Sequence, residues 1–266
     1  MEKAMIEESN AKWLARLWPF PCKTCGTPNT NSTEGKDCDE CYAKSPEAIA
    51  KREAEARELA ATHQRFTDSQ LARIISPEIR ETDIDHPDFN RRAWERIRAG
   101  WNPESTDWLW LHSKTSGRCK SRIAYLLLRE QYLALIRPVV SSFGSFQNGA
   151  IPRVLWVDGD RLTEAFRTRN QYSLGESVMS EAHDLVETAR TADLLVIDDL
   201  TKRKLAGEAA SDGLWEVIKH RHEYRRRTII TDNYLPESLE DMLHEKLCGY
   251  IFRRLVERCI QVDFDA

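Results

Sequence analysis

The sequence lacks any apolar run approaching the roughly 18 to 20 residues that a membrane-crossing helix needs, which excludes a helical transmembrane protein. Its opening stretch, Met-Glu-Lys-Ala-Met-Ile-Glu-Glu, has neither a basic start nor an apolar core, so a secretory signal is not expected. Positive charge is not in excess either: 39 Lys and Arg against 43 Asp and Glu leave a net charge of −4. Attraction of the whole molecule to nucleic acid is therefore not expected, and any such contact falls to local basic patches. Internal repeats and low-complexity tracts are absent. The composition, 41% hydrophobic and 31% charged, suffices to bury a sizeable core and excludes a disordered chain. At about 150 residues per domain, the length suits one large domain, alone or with a small appendage.

Cysteine is present but unevenly placed. Four of the seven fall between positions 22 and 41, while Cys119, Cys248 and Cys259 are scattered. An odd total without a secretory signal argues against a disulfide framework and for a cytoplasmic protein with reduced thiols. Cys22-Lys-Thr-Cys25 and Cys38-Asp-Glu-Cys41 are two CxxC pairs with twelve residues between them. A tight turn lets each pair offer two thiolates to one tetrahedral ion, and Gly26 suits such a turn. Lys23 and Lys36 would moderate the charge of a four-thiolate centre. A redox CxxC would open a helix after a strand, which neither pair does. The pattern predicts one structural Zn2+ held by Cys22, Cys25, Cys38 and Cys41, with no open position for catalysis.

Three regions follow: a zinc-binding module over 1–44, a helical connector and lead-in over 45–104, and an α/β domain over 105–266. The connector opens with Ser45 as helix cap, Pro46 at the first helical position and Glu47 at the positive end of the helix dipole. Beyond it, the apolar runs Trp108–Leu111, Val154–Val157, Ala192–Ile197 and Thr228–Thr231 alternate with helical stretches such as Ile123–Ile136. Cys259–Phe264 alternates like an edge strand. Strands separated by helices predict βαβ units and a mainly parallel sheet covered on both faces.

Between the first strand and its helix lies Leu109-Trp-Leu-His-Ser-Lys-Thr-Ser-Gly-Arg-Cys-Lys-Ser121, where a phosphate-binding loop belongs. The pattern G-x-x-x-x-G-K-[ST] requires glycine at 114 and 119, lysine at 120 and a hydroxyl at 121. Lys120 and Ser121 are present; Lys114 and Cys119 replace the glycines, and Gly117 lies inside the loop. The expected ATP contacts are Thr115, Ser116, Gly117, Arg118 and Cys119 around the phosphates, Lys120 on the β/γ oxygens, and Ser121 on Mg2+. A cysteine fits at 119 with a negative φ, and the bulky Lys114 is the harder of the two to place. Further on, Asp193-Leu-Leu-Val-Ile-Asp-Asp199 is an apolar strand ending in two carboxylates, the Walker B arrangement. Asp198 would hold magnesium and Asp199 would orient the attacking water. Thr228-Ile-Ile-Thr-Asp-Asn233 is another strand with a polar end, where Asn233 would sense the γ-phosphate. All of these groups lie at strand C-terminal ends, as α/β ligand sites require.

Ala192–Leu200, Gly213–Arg227, the strand end Thr231-Asp232-Asn233 and the segment 250–258 together resemble the AAA+ ATPases of the DnaC/DnaI helicase-loader and IstB group, over roughly residues 70–264. The resemblance implies a five-stranded AAA+ core, ATP with Mg2+, self-association into a ring or spiral, and single-stranded DNA binding. A zinc module ahead of the ATPase is similar to DnaI-type loaders, where it contacts the replicative helicase. It also implies that Arg253 or Arg254, with Arg254 preferred, reaches a neighbour's nucleotide; an intramolecular pair with Glu257 is the alternative. Asp199 stands where Glu is commoner in this group, which shortens its reach by one methylene and implies slow, switch-like hydrolysis by a weak ATPase.

Lys202-Arg203-Lys204 and Lys219-His-Arg-His-Glu-Tyr-Arg-Arg-Arg227 are the basic patches available for single-stranded DNA, against the simpler role of solvated surface. The sequence thus favours an ATP-dependent loader or regulator of a replicative DNA helicase. An IstB-like ATPase working with a transposase, and a non-hydrolysing zinc-dependent adaptor, are its alternatives.

Overall fold

A computed structural model describes residues 23–24, 39–115, 117–136, 151–201, 207–241, 243 and 245–265. Cys22, Cys25, Cys38, Ser116 and the basic triplet at 202–204 lie outside these residues. The chain forms two compact units, Met1–Thr62 and His63–Ala266. In the first unit, α1 (Asp39–Ala43) precedes the start of α2 (Pro46–Leu71), and Ser45 caps α2 as expected, its Oγ accepting the Ala48 N–H at 3.2 Å.

The second unit contains the end of α2, then α3 (Pro77–Arg80), α4 (Arg91–Gly100) and a five-stranded sheet. The strands are β1 (Trp108–His112), β2 (Val154–Asp158), β3 (Leu194–Asp198), β4 (Arg227–Asp232) and β5 (Cys259–Asp263). All five predicted strands form, and every pairing is parallel, in the order β2-β3-β4-β1-β5. Parallel strands need crossovers, and these are α5 (Lys120–Ile136), α6 (Gly159–Thr168), α7 (Glu176–Thr191), α8 (Glu208–Glu223) and α9 (Glu245–Arg258).

The near-continuous apolar character of the strands follows from burial on both faces. Trp108, Trp110, Leu195, Ile197 and Ile230 point to one side, where α6, α7, α8 and α9 cover them. Leu109, Leu111, Leu194, Val196 and Ile229 point to the other, under α4, α5 and the end of α2. The two strand tryptophans are fully buried with their indole N–H groups satisfied, Trp108 by the Arg226 carbonyl at 2.8 Å and Trp110 by the Tyr234 carbonyl at 2.9 Å. Residues 71–101 belong to this core: Leu71, Ile75, Phe89, Ile97 and Trp101 are buried in it. No helix among the described residues is long and apolar enough to cross a membrane.

Candidate nucleotide-binding site

Parallel strands bring their C-terminal ends to one edge of the sheet, so the loops after β1, β3 and β4 converge there. Lys120 is the first residue of α5 and is 6% exposed; its Nζ donates to Asn233 Oδ1, just beyond β4, at 2.9 Å. No carboxylate among the described residues lies within ion-pair distance of this ammonium, although a buried charge is costly without a counter-charge. Beside it, Ser121 Oγ donates to Asp198 Oδ1 at 2.7 Å, and Thr231 Oγ1 donates to the same oxygen at 2.6 Å. Burial pushes the Asp198 carboxyl above the usual carboxylate range; the two hydroxyls oppose this, while Asp199 and Asp158 add to it.

Asp199 takes φ +52, a left-handed conformation that aspartate tolerates, and its N–H donates to Thr231 Oγ1 at 2.9 Å. The sharp turn sets Asp199 on a cleft of about 670 Å³ together with Lys120, Ser121, Asn233 and Gly117. Glu78, Glu81, Asp83, His86 and Asp88, from α3 and the segment after it, line the same cleft. Of the residues expected from the sequence to contact nucleotide, Gly117, Arg118, Cys119, Lys120, Ser121, Asp199 and Asn233 line one cleft, and Asp198 adjoins it through Ser121.

Two expectations about the loop are corrected. Cys119 has φ +61, not a negative value, so it occupies the left-handed conformation that makes glycine the usual residue here. Its thiol donates to the Asp88 carbonyl at 3.2 Å. Lys114 is the easier replacement: it lies exposed, outside the left-handed region, with its N–H donated to Asp265 Oδ2 at 2.7 Å. Gly117 does need its glycine conformation, at φ +80. Thr115 Oγ1 accepts from Arg118 Nε at 3.1 Å, and both side chains are exposed.

The basic run 219–227 serves the fold more than the surface. Arg221 is fully buried, donating to Thr228 Oγ1 at 2.9 Å and to the carbonyls of Ala189 and Ala192 at 2.9 and 2.8 Å. Arg226 and Arg227 donate to the carbonyls of Thr191 and Glu104. Carbonyls left open where helices and strands end attract guanidinium groups, and a run of arginines in sequence does not reveal them. Arg253 is exposed and pairs with Glu257 at 2.9 Å; Arg254 lies over the Trp215 ring at 4.3 Å. Of the four expected zinc ligands the described residues include Cys41 alone, and no group of three or more potential metal ligands occurs among the described residues.

Sequence reasoning missed Asp232. It is 1% exposed, and its carboxylate accepts from Thr201 Oγ1 at 2.6 Å, Thr201 N–H at 3.2 Å, Asn233 N–H at 2.6 Å and Tyr234 N–H at 3.1 Å. Asp232 thereby ties the exit of β3 to the exit of β4 and fixes the backbone that carries Asn233. Its burial raises the carboxyl to about 6. The polar strand end Thr231-Asp232-Asn233 was the available signal.

The protein is thus an α/β domain with an all-parallel five-stranded sheet, the loop 113–119 following β1 and the carboxylates of Asp198 and Asp199 at the end of β3. No protein-family model matches the chain, and no curated protein matches it in sequence. Solved structures do. The DnaC helicase loader aligns with TM-score 0.47 and 17% identity over 71% of this chain and 99% of that one. DnaI aligns with TM-score 0.47 and 16% identity over 71% and 94%. The replication initiator DnaA bound to AMPPCP and single-stranded DNA aligns with TM-score 0.44 and 15% identity over 71% and 50%.

Proposed function

We propose that the protein is an ATP-dependent loader or regulator of a replicative DNA helicase, with a magnesium-dependent nucleotide switch at its core. The observation that carries the nucleotide reading is the buried Lys120 ammonium at the start of α5, which lines the cleft and has, among the described residues, only a neutral amide as partner. A phosphate would supply the missing negative charge, and the positive end of α5 reinforces it. The oxygen donors fit magnesium: the Ser121 hydroxyl and the Asp198 carboxylate already meet at 2.7 Å. Bound magnesium would bring positive charge to the phosphate oxygens. Residues 117–121 would present backbone N–H groups, Asp199 would orient water, and Asn233 would read the γ-phosphate through Lys120. Asp199, shorter than Glu, makes turnover slow.

The helicase part of the reading is supported by the paired CxxC sequence ahead of an AAA+ core, an arrangement that resembles helicase loaders. Cys22, Cys25, Cys38 and Cys41 would hold one zinc ion in a partner-binding module. In an assembled ring or spiral, Arg253 or Arg254 would approach the neighbour's nucleotide, and single-stranded DNA would contact the basic triplet Lys202-Arg203-Lys204. The exposed Arg253–Glu257 pair is worth little and is readily exchanged for such a contact. The test is co-elution with the replicative helicase of the encoding organism in the presence of MgATP. Wild type is expected to co-elute; Cys22→Ser is expected to lose zinc and the helicase while keeping ATP binding. Failure of wild type to associate would overturn the loader reading and leave the nucleotide site standing.

A further inference from the structure

β1 and β5 pair in parallel with His112 opposite Asp263, and the Phe264 N–H donates to the His112 carbonyl at 2.9 Å. This register carries Asp265 alongside the first residues of the phosphate loop. Its carboxylate accepts the Lys114 N–H at 2.7 Å, the Ser113 hydroxyl at 3.0 Å and the Thr115 hydroxyl at 3.4 Å, with Arg118 Nε at 3.5 Å. The Lys114 N–H above all holds the Asp265 carboxyl below the usual carboxylate range, so it is ionised at neutral pH. Asp265 itself is fixed by donating its N–H to Asp263 Oδ1 at 2.8 Å.

We propose that Asp265 is a positioning residue for nucleotide binding, holding the phosphate loop in shape from the β5 side in a chain whose loop lacks both defining glycines. The loop needs such support. Cys119 sits at φ +61, where a side chain is disfavoured, so the loop's preference for its present shape is weakened at its second arm. The Asp265 contacts gather residues 113, 114, 115 and 118 on one carboxylate and so fix the first arm. The N–H groups of 117–121 are then presented to an anion without the loop having to be ordered first. Charge alone predicts the opposite behaviour: a carboxylate near a phosphate site repels the ligand, and its removal would tighten binding. The two effects have opposite signs, and the contact geometry favours positioning.

The proposal takes its ligand, a nucleoside triphosphate, from the nucleotide reading above, so the test has one arm that needs no ligand. On the full chain, Asp265→Ala is expected to raise the Kd for MgATP about tenfold, as losing a charge-assisted contact set implies. In protein without nucleotide it is expected to speed amide hydrogen exchange across 113–119, with Tm shifted by less than about 2 °C. Asp265→Asn, which keeps an acceptor and removes the charge, is expected to fall between. Cys119→Gly is expected to recover more affinity in the Asp265→Ala background than in wild type, because both changes act on loop order. Tighter MgATP binding in Asp265→Ala, or unchanged loop exchange, overturns the positioning role. Faster loop exchange in Asp265→Ala, with no MgATP binding by wild type, upholds the contact and overturns the nucleotide reading instead.

Discussion

Asp232 shows how one side chain can organise a site without facing the ligand. Its four acceptor contacts join Thr201, Asn233 and Tyr234, so the backbone that carries the Asn233 amide is held in place. Burial has a consequence in pH. The folded carboxyl takes its proton at about 6, against an ordinary value near 3.9. A raised folded value means that the group's favourable contribution is complete below about pH 4 and is lost as pH rises through about 6. The difference amounts to roughly 3 kcal/mol. Denaturation of wild type and Asp232→Asn across pH 4 to 6.5 should therefore show wild type gaining stability relative to the variant as pH falls. A flat difference would mean that the four hydrogen bonds offset the burial.

Among the elements, the contact between the start of α6 and the exit of β3 is the tightest constraint on the site. A Cβ added at Gly159 would lie 2.3 Å from the Asp199 carbonyl and 2.6 Å from the Leu200 Cα, both backbone atoms. Gly159→Ala must push this turn away, and it should cost about 1–3 kcal/mol in denaturant unfolding. Because Asp199 moves with the turn, ATP turnover should fall as well; unchanged stability and turnover would contradict the packing described. Nothing in the sequence around Asp158-Gly159-Asp160 announces this approach, since it depends on the register that sets Asp158 beside Asp198. The five strands were legible because burial on both faces writes itself as continuous apolar runs. That Lys120, Ser121, Asp198 and Asn233 meet was legible because the loops that follow parallel strands converge at one edge of the sheet. Asp265 was not, because it meets Lys114 only through the pairing of β1 with β5. Cys119 was misread because a backbone angle imposed by the loop overrode the preference of the residue, and the arginines of 221–227 because carbonyls at element ends are invisible in a linear pattern.

For the molecule as a whole, charge bears on the proposed nucleotide site. The chain carries a net −4, and Glu78, Glu81, Asp83 and Asp88 line the same cleft as Lys120 and Ser121. Under the proposed nucleotide reading, these carboxylates would repel a free triphosphate, whereas its magnesium complex carries less charge and would meet Ser121 and Asp198 as ligands for the ion. Binding should accordingly depend on magnesium, and it should depend on Lys120, whose buried ammonium has no other group among the described residues to replace it. The most direct measurement is calorimetric titration of the full chain with ATP, with and without magnesium, for wild type and Lys120→Ala. Saturable binding by wild type only with magnesium, and its disappearance in Lys120→Ala, is the predicted result. No binding by wild type at millimolar MgATP, or equal binding by Lys120→Ala, would contradict the account.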